Sequence, residues 1–128
     1  MFRWNKNLTL DIDRIDNQHQ EIFKSLSKLH DTLNCPNRKN NMNTIWASYE
    51  NMKDCIILHF LFEERMIFKN SNIDFEKHKN EHQLLVNFIE GMDLDNSFLN
   101  RMHLLNQIQF IGNWFCKHIE LYDEKFVH

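Results

Sequence analysis

Apolar residues recur at steps of three and four along four separate stretches of the chain. The first stretch carries Ile15, His19, Ile22, Leu26, Leu29 and Leu33, and the second Ile45, Tyr49, Met52, Ile56, His59, Glu63 and Met66. The third carries Phe75, His78, His82, Leu85, Ile89 and Met92, and the fourth Leu104, Ile108, Ile111, Phe115, His118 and Tyr122. Such spacing puts each set on one ridge of an α-helix, facing other helices. It predicts helices over roughly 16–33, 42–69, 74–92 and 97–126.

The breaks between these stretches are short. Residues 34–43, NCPNRKNNMN, hold the single proline; lesser breaks fall at Asn70-Ser71-Asn72 and from Gly91 to Ser97. Short connections make neighbouring helices antiparallel. The expected fold is therefore all-α, an up-down-up-down four-helix bundle. Residues 1–15 are left as an N-terminal arm, with Trp4 and Leu8 as its anchors. No internal repeat divides the chain, so residues 1–128 are expected to form a single domain.

Composition agrees with helices. Of 128 residues, 42% are hydrophobic and 26% charged, which suits a globular core, while two glycines and one proline are too few for a turn-rich β architecture. Lys+Arg number 15 against 18 Asp+Glu, a formal charge of −3, so no basic excess points to nucleic acid or an anionic membrane. Cys35, Cys55 and Cys116 are widely spaced, which excludes a Cys-x-x-Cys motif and disfavours a disulfide framework. Residues Met1 to Asp13 lack the apolar core of a signal peptide, and the longest apolar run, Cys55 to Phe62, is interrupted by His59. The expectation is a cytoplasmic protein with no membrane span.

The seams are not purely apolar. Five of the eight histidines lie on them, namely His19, His59, His78, His82 and His118, together with Glu63. In an up-down-up-down bundle the start of the first helix lies beside the end of the second, the start of the third and the end of the fourth. At about 1.5 Å per residue, all six side chains then meet within roughly three turns at one end of the core. Each buried polar group left unsatisfied costs about 1–3 kcal/mol. Six of them would consume much of a domain's net stability of about 5–15 kcal/mol. A metal centre satisfies them together.

Spacing refines the donor set. His59 and Glu63 are four apart, as are His78 and His82, so each pair projects side by side. Imidazole and carboxylate without thiolate suit iron, and less specifically zinc, copper or nickel. Seven candidate ligands, counting an acidic residue near His118, exceed one tetrahedral zinc, so two ions fit better. Neither the Glu-x-x-His repeats of ferritin-like centres nor a His-Glu-x-x-His motif occurs. Glu64, next to Glu63, is expected to face solvent; Gln18 and Asp16 are candidate outer partners of the ligands.

These residues resemble the hemerythrin family, specifically its bacterial members. The resemblance runs through Trp4, Ile15-Asp16-Asn17-Gln18-His19, His59-Phe60-Leu61-Phe62-Glu63-Glu64, His78-Lys79-Asn80-Glu81-His82, Trp114-Phe115-Cys116-Lys117-His118-Ile119 and Asp123. It implies two non-heme iron ions with an oxo or hydroxo bridge. The ligands it implies are His19, His59, Glu63, His78, His82, His118 and Asp123, with Glu63 and Asp123 bridging. Two octahedral ions offer twelve positions, of which five imidazoles, two bridging carboxylates and one bridging oxygen fill eleven. The twelfth would take O2. Asp123 rests on the resemblance alone: five residues after His118, it lies about 140° round an ideal helix and off the seam.

Phe60, Trp114, Phe115 and Ile119 flank the implied ligands and are expected to line an apolar O2 pocket. Phe115 stands where the family commonly has leucine, and the loop before His78 lacks the family's usual Tyr-Pro. The function implied is reversible O2 binding for storage, delivery or buffering rather than enzymatic turnover. The seams carry no spare carboxylate or general acid for the latter. The rival readings are a di-iron enzyme handling peroxide or nitric oxide, and a sensing or iron-handling module.

Overall fold

The computed structural model of the chain describes residues 13–34, 42–68, 74–95 and 101–121. Four helices account for nearly all of them: α1 (Asp13–Leu33), α2 (Met42–Phe68), α3 (Phe75–Glu90) and α4 (Arg101–Leu121). No strand occurs among the described residues. The helices pack as a four-helix bundle, α1 against α2 and α4, and α2 against α3. Trp4 and Leu8 of the expected arm, and Tyr122 of the fourth seam, lie outside the described residues.

Side-chain contacts give the helix directions. Gln18, early in α1, meets His59, late in α2. Glu63, late in α2, meets His78, early in α3, while Tyr49 and Ile89 join the opposite ends of the same two helices. His78, early in α3, meets His118, late in α4, with ring centroids 4.9 Å apart, and the end of α1 meets the start of α4 where Arg101 donates to Asn34 at 2.8 Å. Each neighbouring pair is antiparallel, the up-down-up-down order that short connections impose.

The seams are buried as their spacing requires. Ile15, Ile22, Leu26, Leu29 and Leu33 of α1 face Ile45, Tyr49, Met52 and Ile56 of α2, Leu85 and Ile89 of α3, and Leu104, Ile108, Ile111 and Phe115 of α4 in one core. Phe23, Phe60, Leu94 and Ile119 join this core from positions beside the seams. With Ile15 and Ile119 closing the histidine end, most of the aliphatic residues fill the end of the bundle away from the histidines. Full burial of each such side chain contributes about 1.5–3 kcal/mol, and this end stabilises a fold whose other end is polar.

Local signals fix where α3 begins. Asp74 is its N-cap, with extended backbone, and its Oδ1 accepts from the Lys77 N–H at 3.1 Å. A capping carboxylate satisfies one of the donors that a helix start leaves open and favours the positive end of the helix dipole. The cap lies four residues before His78, so it sets the phase of His78 and His82. At the far end the Gly91 N–H donates to the Asn87 carbonyl and the Met92 N–H to the Ile89 carbonyl, both at 3.1 Å.

Tyr49 ties α2 to the end of α3. Its hydroxyl donates to the Ile89 carbonyl at 2.7 Å in a buried setting. Burial, and then the nearby Glu50 and Glu90 charges, push its phenol pKa up, so the donor stays protonated. Tyr49→Phe keeps the ring and removes the bond. It is expected to cost about 0.5–1.5 kcal/mol, read as a lower urea midpoint at unchanged slope.

Candidate metal centre

Every histidine on a seam is buried, and so is Glu63, which is 0% exposed. The i,i+4 spacings bring the partners together as expected. His59 Nε2 lies 2.7 Å from Glu63 Oε1 along one face of α2, and the rings of His78 and His82 meet edge to face at 4.4 Å on α3. Across the bundle, His19 Nε2 and His59 Nε2 are 3.1 Å apart. His82 Nε2 and His118 Nε2 are 3.2 Å apart.

Glu63 divides these rings into two groups. Its Oε1 faces His59. Its Oε2 lies 3.2 Å from His118 Nε2, 3.4 Å from His78 Nε2 and 3.6 Å from His82 Nε2. The result is two buried clusters sharing one carboxylate, His19–His59–Glu63 and Glu63–His78–His82–His118, each able to offer one ligand atom per residue. The arrangement is uneven, two imidazoles on one side and three on the other.

The donor set fits metal ions on geometry as well as chemistry. A metal–nitrogen bond of about 2.1 Å separates neighbouring donors by about 3.0 Å in an octahedron and about 3.4 Å in a tetrahedron. The donor separations within the two groups run from 2.7 Å, between His59 Nε2 and Glu63 Oε1, to 3.6 Å, and bracket these values. The outer hydrogen bonds also set the tautomers. His59 Nδ1–H donates to Gln18 Oε1 at 2.7 Å, and His82 Nδ1–H donates to Glu64 Oε2 at 3.0 Å. A proton anchored on the outer nitrogen would leave the Nε2 lone pair of His59 and His82 for a bound ion, whereas in the metal-free chain His59 also carries a proton on Nε2 and donates it to Glu63.

Burial alone pushes the Glu63 carboxyl upward. The positive character of His59 and hydrogen bonds from His118, His59 and His78 overcome it and hold the group well below the usual carboxylate range. Glu63 is therefore a carboxylate inside the bundle, held there by the imidazoles.

Aromatic rings hold the imidazoles in place. Phe60 stacks on His82 at 3.8 Å with 6° between the planes, and Trp114 stacks on His118 at 4.6 Å and 15°. Phe115 stacks on Phe60 and stands 6.3 Å from both His59 and His118. Of the expected pocket residues, Phe60 and Trp114 thus lie against the three-histidine group and Phe115 lies between the groups. Ile119 is buried.

Six of the seven expected ligands come together: His19, His59, Glu63, His78, His82 and His118. Asp123 lies outside the described residues. Glu64 departs from expectation. It does not face solvent but pairs with His82, its side chain 19% exposed. The physical reason is a second ridge on α2. Ile57, Phe60, Leu61 and Glu64 follow helical spacing and, with Lys79, His82, Gln83 and Val86 of α3, line an open groove of about 400 Å³. Asp16 is buried too, so two acidic residues off the seams are withdrawn from solvent.

Antiparallel helices around paired histidine–carboxylate clusters define a class: helical bundles whose core fits two metal ions. Within it, the model of the hemerythrin HHE cation binding domain matches residues 10–127, and the chain belongs to the hemerythrin family. Its relatives include the bacteriohemerythrin of Methylococcus capsulatus, 33% identical over 85% of this chain and 80% of that one. The bacteriohemerythrin of Clostridium acetobutylicum is 24% identical over 99% of each chain. The myohemerythrin of Theromyzon tessulatum is 24% identical over 98% of this chain and 90% of its own.

The lowered Glu63 pKa has a signed consequence for the metal-free chain. The unfolded chain takes up the proton first, near the ordinary value of 4.5. The stabilisation is present above that value and is lost as pH falls toward the folded value. Urea unfolding of metal-free protein below pH about 4.5 is expected to show stability declining with acidification. Glu63→Gln should make that decline shallower.

Proposed function

We propose that the chain binds O2 reversibly at two iron ions held by His19, His59, Glu63, His78, His82, His118 and Asp123, with Glu63 and Asp123 as the bridges. The observation that carries this reading is Glu63, one oxygen toward His59 and the other toward His78, His82 and His118. An all-nitrogen-and-oxygen donor set suits iron. A reduced iron pair, when bound, supplies electrons to O2 and recovers them on release.

The chain's own residues do the rest. Five imidazoles, the two bridging carboxylates and a bridging oxygen would fill eleven of the twelve positions of two octahedral ions, leaving one on the His19–His59 side, which has one histidine fewer. Phe115, 6.3 Å from the His59 ring, limits the space there and helps to exclude water. Glu63 faces the histidines and Glu64 is paired with His82, so both carboxylates are engaged, which disfavours turnover chemistry that needs a free general acid. The proposed role is storage, delivery or buffering of O2. No helix among the described residues is long and apolar enough to cross a membrane, and the proposed location is the cytoplasm.

Oxygen cycling tests the reading. The anaerobically reduced, iron-loaded chain is expected to change its visible absorption when air is admitted and to return when O2 is removed, over repeated cycles. Turnover of peroxide or nitric oxide far faster than autoxidation would instead make the chain a di-iron enzyme and overturn the carrier role.

A further inference from the structure

Each imidazole has a second nitrogen facing away from the centre, and the structure gives the outer partner of two. His59, in the two-histidine group, donates to the amide oxygen of Gln18 at 2.7 Å. His82, in the three-histidine group, donates to the carboxylate of Glu64 at 3.0 Å. One outer partner is a neutral amide and the other a carboxylate. The difference acts on the inner nitrogen: a carboxylate draws on the Nδ1 proton more strongly, raises the electron density at Nε2, and makes the imidazole a better donor.

We propose that Glu64 is a positioning residue that acts through His82 to strengthen the hold of the three-histidine side on a more highly charged ion. Three local features support it. Phe60 stacks flat on His82, so the ring cannot turn to escape the pull of Glu64. Glu64 sits one residue from Glu63 on α2, so a single helix fixes both the inner carboxylate and the outer one. Glu64 also lines the open groove between α2 and α3 together with His82. A partly hydrated carboxylate carries its charge there at a lower desolvation cost than a buried one.

This inference rests on the paired-iron reading, and its test separates the two. Glu64→Gln keeps the shape and an acceptor oxygen while removing the charge. Gln18→Glu places a carboxylate behind His59 and serves as the converse. The readouts are the midpoint potential of the iron pair by anaerobic redox titration and the rate of iron loss to a chelator. Glu64→Gln is expected to raise the potential and to speed loss of one of the two ions about tenfold, the lower end of what outer-partner substitutions cost. Gln18→Glu is expected to lower the potential. A wild-type chain with paired iron and a Glu64→Gln variant unchanged in both readouts would overturn the inference alone. A wild-type chain that takes up no paired iron would overturn the reading beneath it and the inference together.

Discussion

A single carboxylate, sealed in the middle of four helices, governs this structure. Glu63 is fully buried and charged, a state that costs far more than a bundle's net stability unless the charge is matched. Its partners are His59 on α2, His78 and His82 on α3 and His118 on α4, and His19 of α1 joins the group through His59. A shift of one helix by a single residue would turn its imidazole about 100° away and leave the carboxylate short of a partner. Helix phase is therefore a functional quantity here, and the Asp74 cap at the start of α3 helps to set it.

The bundle divides its work along its length. One end is aliphatic, closed by residues such as Leu29, Leu33, Ile45 and Met52, all 0% exposed. The other end concentrates the polar groups. Between them the aromatic layer of Phe60, Trp114 and Phe115 serves both ends, joining the apolar core on one side and stacking on the imidazoles on the other. Gln18 and Glu64 orient two rings from outside. Preorganisation of this kind keeps the donor atoms at ligand-like separations, so that order need not be created when an ion arrives.

Much of this is legible in the residues themselves. Period-three-and-four spacing identifies the helices, and histidine on every seam identifies the end of the bundle that holds the chemistry. The i,i+4 pairs His59–Glu63 and His78–His82 identify which donors project together. What spacing cannot reach depends on lateral packing. Glu64 follows Glu63 in the chain and looks like a solvated charge on a wheel that considers only the seam; α3 lies alongside that face and turns it inward. The ridge Ile57, Phe60, Leu61 and Glu64 was the available signal. The partner of Gln18 cannot be chosen from spacing, because that requires knowing how far α1 is advanced against α2. The division of five imidazoles into three and two comes from the direction of each Glu63 oxygen, which no periodicity contains. Asp123, off the ideal seam, rests on resemblance to the hemerythrin family.

In this arrangement one carboxylate faces both donor groups at once. Iron content per chain, measured for the wild-type protein and for Glu63→Gln after removal of loosely held metal, tests it most directly. An amide of the same shape does not supply two charged oxygens to two cations. About two irons per wild-type chain and at most one in the variant are expected, since metal affinity depends on the full ligand set. A Glu63→Gln chain that still carried a complete pair would contradict this expectation.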